Sequence, residues 1–284
     1  NPEVEQIIIY DNLSRGNRNL FIGQRKFSDS KLHFVQGDIL DSRRFKKALK
    51  GVDVVYHLAA NVTTPFSDQN PHLFEQVNNW GTAEIVYAIE ESEVKNLIYL
   101  SSVSVYGAGE EMISIDSIPD PKTHYGISKL RGESHVGRLS KHLNTNIVRC
   151  GNVYGYSKSM RFDAVINRFL FEANFQKRIT INGSGKQTRA FVHISKVASA
   201  LSKMHSGVLP SGIYNLVDRN LAIGEIVEVL RRKIPDLEML FMNQHMPMRE
   251  MKVAMDKRIN FLFEGMEKSF EEEIDDFFEE FTFH

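Results

Sequence analysis

Tyr125 and Lys129 stand four residues apart at the start of a helical pattern, so they share one helix face. An ammonium beside a phenol favours the phenolate and lowers the tyrosine pKa from about 10. Ser101-Ser102 closes an apolar run upstream. A serine hydroxyl at a strand end can hold a substrate oxygen against such a phenol. Ser102, Tyr125 and Lys129 together have the parts of a proton relay for interconverting an alcohol and a carbonyl. Tyr-x-x-x-Lys alone recurs by chance. Its place after a strand-end serine pair gives it weight.

Asp11 ends the first apolar run, Ile7-Ile8-Ile9-Tyr10. In an open parallel sheet that edge receives ligands. An acidic residue there can accept from both hydroxyls of an adenosine ribose and repels a 2′-phosphate, which favours NAD over NADP. Gly37-Asp38-Ile39 ends the next run. Asp38 can accept from an adenine amino group while Ile39 packs on the ring. Leu58-Ala59-Ala60 ends a third, where small residues let the backbone approach a nucleotide. His57 reads as a satisfied core histidine, and no His, Asp and Glu spacing marks a metal site.

These residues need elements to hold them. Strand-like runs fall at 5–11, 32–36, 52–58, 96–100 and 146–149, with helical patterns at 42–50, 74–91 and 125–141. Continuously apolar strands alternating with helices predict an α/β fold, a parallel sheet covered on both faces. Beyond about 155 the alternation loosens into a smaller lobe. The expected division is 1–151 for the dinucleotide-binding domain, 152–190 for a substrate lobe, 191–217 for a return to the first domain and 218–284 for the lobe again. Phe270, Ile274, Phe277, Phe278 and Phe281 are near helical spacing, as in a surface helix packed on that lobe.

The 284 residues are 42% hydrophobic and 25% charged, with a formal net charge of -1. That is a globular composition with no bulk attraction to nucleic acid or an anionic membrane, and neither partner is expected. The single cysteine, Cys150, excludes an intrachain disulfide and fits a reducing, cytoplasmic compartment.

The chain resembles the extended short-chain dehydrogenase/reductase family, the NAD-dependent sugar-nucleotide epimerases and dehydratases. The resemblance rests on Asp11-Asn12-Leu13-Ser14-Arg15-Gly16, Gly37-Asp38-Ile39-Leu40-Asp41, His57-Leu58-Ala59-Ala60 and Val77-Asn78-Asn79-Trp80-Gly81-Thr82. It continues through Ser101-Ser102-Val103-Ser104-Val105-Tyr106-Gly107, Tyr125 to Lys129, Arg149 to Gly155 and Gly183 to Arg189, and on to Tyr214-Asn215-Leu216. Each motif is soft, and their shared order is specific. The resemblance implies a Rossmann-type sheet and bound NAD. Tyr125 is then the acid–base group, Lys129 its partner and ribose anchor, and Ser102 the orienting hydroxyl. It further implies that Asp11, Asn12, Asp38, Ile39, Leu58, Ala59, Ala60 and Asn78 line the NAD site, joined there by Tyr125 and Lys129. Asn152, Arg189 and Arg249 would join Ser102 in binding a nucleotide sugar, and a homodimer is implied through a four-helix contact. Val77, Ile85, Leu130 and Leu139 read as apolar positions in excess of one sheet face, while Trp80 reads as helix packing.

Two departures stand out. The family's glycine-rich loop belongs roughly 20 residues before the position of Asp11, and an apolar strand with that loop is expected upstream of Asn1. An acidic residue usual near Ser195 or Lys196 is missing. Dehydratases resembling this family carry Asp-Glu after the catalytic Thr, where this chain has Val103 and Ser104. The expected reaction is therefore 4-epimerisation, with a nucleotide-sugar reductase or dehydratase as alternatives and a non-enzymatic dinucleotide-binding protein behind them.

Overall fold

The computed structural model describes residues 4–16, 31–62, 70–243 and 250–281. The chain opens with strands β1 (Ile7–Asp11) and β2 (Leu32–Gln36), then helix α1 (Ser42–Ala48) and strand β3 (Val54–His57). A long helical rod follows, as α2 (Pro71–Phe74), a π-helical stretch (Glu75–Trp80) and α3 (Gly81–Glu90). Strand β4 (Asn96–Ser102) leads into a 3-10 turn (Val103–Tyr106) and the short β5 (Met112–Ile113). Helix α4 (His124–Gly137), a 3-10 turn (Arg138–Lys141), β6 (Asn144–Cys150) and β7 (Asn152–Tyr154) come next. Then follow α5 (Val165–Gln176), β8 (Arg178–Asn182), β9 (Thr188–His193), α6 (Ile194–Met204), β10 (Gly212–Leu216) and β11 (Arg219–Ala222). Helix α7 (Ile223–Lys233), β12 (Glu238–Met242), β13 (Lys252–Val253), a 3-10 turn (Lys257–Phe263) and α8 (Phe270–Glu279) end the described chain.

The expected α/β architecture is present. Four parallel strands lie in the order β10-β6-β4-β3, and β1 and β2 form a separate parallel pair. The crossovers cover both faces. On one side Phe45, Ile85, Val86, Ile89 and Val136 pack on Leu97 and Tyr99, and on the other Val197, Ala200 and Met204 pack on Ile98 and Val148. Central strands buried on both sides explain the unbroken apolar run of β4. The smaller lobe carries the sheets β11-β9-β7 and β12-β8. There α5, α7 and α8 enclose Phe169, Leu170, Ile226, Leu230, Ile274 and Phe277. Ile274 and Phe277 are thus the buried face of α8, with Phe270, Phe278 and Phe281 partly buried against the same core.

Several expectations need correction. The helix expected over 74–91 starts at Pro71, which suits the first turn because it has no N–H to satisfy. It then widens into π turns, which period counting does not reveal. Ile85 and Leu139 are 2% and 1% exposed, and Val77 and Leu130 pack against core clusters, so these positions belong to the monomer core. Trp80 is instead 61% exposed.

Candidate active site

The carboxyl ends of β1, β2, β3 and β4 and the start of α4 carry the expected site. Helix α4 is capped by Thr123, whose side chain accepts from the Gly126 backbone N–H at 3.0 Å. The helix then lies hard against the sheet. A Cβ on Gly126 would meet the Ser104 carbonyl oxygen at 2.6 Å, and one on Gly132 would meet the Tyr99 hydroxyl at 2.3 Å. Only glycine permits that approach. It sets the Tyr125 phenol where the Ser102 hydroxyl acts on it, lowering its pKa.

Tyr125 sits edge-on to Phe74, with ring centroids 6.1 Å apart. Burial pushes its pKa up to about 12, and the Ser102 hydroxyl draws it back only in part. The expected ammonium–phenol contact is not made. Lys129 is 2% exposed, and its Nζ stands 4.2 Å from the centre of the Tyr99 ring. Burial lowers its pKa to about 7, against the opposing pull of Glu133. No oxygen of the described residues is hydrogen-bonded to this Nζ. A buried amine with spare donors suits the ribose hydroxyls expected of it, so the residues present fit NAD.

A buried ion pair anchors the helix one turn beyond. Arg149 on β6 donates to Glu133 through Nε at 3.0 Å and Nη2 at 2.6 Å, and the Ser101 hydroxyl donates to Glu133 at 2.5 Å. The Arg149 guanidinium lies over Tyr106, 4.6 Å from the ring centre. Burial opposes the charge on Arg149, yet Glu133 and Tyr106 outweigh it and hold its pKa above the ordinary value. Tyr125, Lys129 and Glu133 are spaced by four, so one helix face carries the phenol, the amine and the anchor. The sequence reading missed Glu133 and Arg149. Their signal was a helix-face carboxylate and an arginine inside an apolar strand.

The dinucleotide edge is partly pre-arranged. Asp11 accepts from the Leu13 backbone N–H at 2.6 Å, and Asn12 donates to Asp38 at 2.8 Å. Asp38 also accepts from the Leu40 N–H at 2.9 Å. Leu58 is 50% exposed and Ala59 is exposed beside it, with Ala60 half-buried. Ile39 differs from its expected role. It is 8% exposed and its side chain faces Gly81 in the core, so it is not free to cover a ring. Asn78 is fully buried. Its amide accepts from the Asn61 N–H, donates to the Asn61 carbonyl and donates to Ser128 on α4. It thereby ties the loop after β3 to the helix of Tyr125. His57 is only half satisfied: its Nε2 pairs with Thr82 at 2.9 Å, while its buried Nδ1 has no partner among the described residues.

On the substrate side, Arg189 borders a cavity of about 120 Å³ together with Ser104, Lys122, Thr123 and Glu250. The Asn152 amide donates to the Ala190 carbonyl at 3.0 Å, bridging β7 and β9. Arg249 lies outside the described residues.

The sequence pattern of the NAD dependent epimerase/dehydratase family matches residues 4–216, and the chain belongs to that family. A protein of Methanocaldococcus jannaschii, provisionally named a UDP-glucose 4-epimerase, is 32% identical over 200 residues. These are 68% of this chain and 63% of that one. The human dTDP-D-glucose 4,6-dehydratase is 33% identical over 189 residues, 64% of this chain and 53% of that protein. The chain thus spans between half and two-thirds of the length of these relatives. The UDP-glucuronic acid 4-epimerase of Bacillus cereus, solved with NAD, superposes with a TM-score of 0.80 over 97% of this chain and 91% of that one. At 23% identity it shows the shared fold.

Proposed function

We propose that the protein uses NAD to epimerise a nucleotide sugar, at C4, through a transient keto-sugar. The observation that supports this reading is Ser102, whose hydroxyl lowers the Tyr125 pKa, followed not by a carboxylate but by Ser104, whose hydroxyl lies 2.9 Å from that of Ser102. Bound NAD supplies the reversible two-electron oxidation of the sugar carbon. Tyr125 takes the proton of the sugar hydroxyl and Ser102 donates to its oxygen. Lys129 would hold the ribose hydroxyls of the cofactor, and its charge there would also favour the phenolate. On return, Tyr125 gives the proton back. Arg189 and Asn152 would meet the diphosphate in this reading. Asp11, Asn12, Asp38, Leu58, Ala59, Ala60 and Asn78 surround or brace the cofactor.

The test incubates the NAD-loaded protein with UDP, GDP and dTDP sugars and identifies products by chromatography and mass. An epimer of unchanged mass, formed without added NADH and with no deuterium at the epimerised carbon in heavy water, supports the reading. A second reading, dehydration, is favoured by Glu250, a carboxylate that lines the same cavity as Ser104. It predicts loss of water from the product. Stoichiometric consumption of NADH would instead mark a reductase.

Cofactor choice follows from Asp11. A 2′-phosphate beside its carboxylate meets like-charge repulsion, so NADH is expected to bind at least tenfold (about 1.4 kcal/mol) more tightly than NADPH. Fluorescence titration of both cofactors checks this, and tighter NADPH binding would refute it.

We also propose a homodimer built on the rod of α2 and α3. Leu73, Trp80 and Tyr87 on that rod are 41%, 61% and 45% exposed. Large apolar side chains grouped on one helix mark a contact surface. Sedimentation at micromolar concentration should give a dimer, and Trp80→Glu should give a monomer with an unchanged circular dichroism spectrum.

A further inference from the structure

A serine hydroxyl has one proton to give and two lone pairs to receive. Ser102 caps the 3-10 turn Val103–Tyr106, and its Oγ accepts from the Ser104 backbone N–H at 3.2 Å. The turn also folds the Ser104 side chain back, so that its Oγ donates to Ser102 Oγ at 2.9 Å. Both acceptor positions of Ser102 are then filled, and its single proton is left to donate toward the Tyr125 side, where the Ser102 hydroxyl lowers the phenol's pKa.

We propose that Ser104 is a positioning residue for the proton transfer, fixing Ser102 as a donor: toward the Tyr125 oxygen before the sugar binds, and toward the sugar oxygen once it is bound. The proposal rests on the reading of Tyr125 as the acid–base group. A phenol that must accept a proton needs a neighbour that donates to its anionic form. If Ser102 had a free lone pair, it could accept from the neutral phenol instead, and Tyr125 would hold its proton more tightly. The residue at 104 decides between these states. Serine donates to Ser102. A carboxylate at that position, as in the dehydratases that the motif resembles, could only accept from it and would reverse the hydrogen-bond direction.

Other groups act on Tyr125 and stay in place when Ser104 is changed. The Cys150 thiol on β6 raises its pKa and Arg161 lowers it. The Phe74 ring covers it from α2, and Lys129 lies one turn along α4. Ser104 itself fronts the cavity shared with Lys122, Arg189 and Glu250. The contrast between Ser104 variants therefore reports on the Ser102 hydroxyl.

The test is the pH dependence of kcat for NAD-loaded protein, on whichever UDP, GDP or dTDP sugar the wild type converts fastest. Losing one hydrogen bond should move the rising limb of Ser104→Ala upward by about half to one pH unit. Near neutrality kcat then falls about 3- to 10-fold, with KM within about twofold, and Ser104→Thr restores the wild-type profile. Superimposable profiles for wild type and Ser104→Ala would overturn the proposal, as would Ser104→Thr behaving like Ser104→Ala. Full turnover by Tyr125→Phe would instead bring down the reading of Tyr125, so the two failures are distinguishable.

Discussion

Tyr125→Phe is expected to lower turnover by about 10²- to 10⁴-fold, the usual worth of a placed proton-transfer group. The substitution removes one hydroxyl and keeps the ring against Phe74, so packing survives. The phenol that the Ser102 hydroxyl acts on is lost, but Ser102 keeps its two bonds from Ser104. NAD affinity should stay within a few-fold, because the buried Lys129 and the Asp11 edge are unaltered. In the free protein the phenol is protonated at neutral pH, since burial holds it near 12. Its use as a base therefore depends on positive charge arriving beside it. Lys129, held near 7 by burial over the Tyr99 ring, is the adjustable source of that charge. The measurement is steady-state turnover together with cofactor titration. Near-normal turnover in a folded variant would remove Tyr125 from the chemistry.

The parts of this site that sequence disclosed are those set by local geometry. Tyr125 and Lys129 share a face because a helix repeats every 3.6 residues. Ser102 and Asp11 sit at an edge because apolar strands end where polar residues begin. What stayed hidden depends on contacts between elements distant in sequence. The position of Lys129 is set by Tyr99 on β4, 30 residues away, and no periodicity announces that ring. Ile39 was legible as apolar at a strand end, but its orientation is set by the bare Cα of Gly81. Val77, Ile85, Leu130 and Leu139 seemed a surplus because helical counting cannot tell which neighbours also need covering, and α1, α3 and α4 cover one another. The π turns of 75–80 arise where Asn78 reaches both Asn61 and Ser128. That is a tertiary demand written in no local pattern.

Arg149→Ala should cost about 3–5 kcal/mol of stability, the usual penalty for breaking one side of a buried ion pair. Arg149 and Glu133 side chains are 4% and 5% exposed, so the remaining carboxylate has little water to turn to. The Ser101 hydroxyl stays bonded to Glu133 but brings no charge. Chemical denaturation at pH 7 should show a lower midpoint with an unchanged slope. An apolar double variant separates lost charge from lost packing. Replacing both partners with apolar residues, Glu133→Leu with Arg149→Met, removes the orphan charge and should recover much of the stability. Because Glu133 lies one turn beyond Lys129, the single variant should also loosen the helix face that carries Lys129 and Tyr125. A weaker NAD affinity in Arg149→Ala, restored in the double variant, would show that the ion pair serves mainly to seat that face. A double variant no more stable than Arg149→Ala would show instead that the guanidinium acts chiefly through its packing on Tyr106.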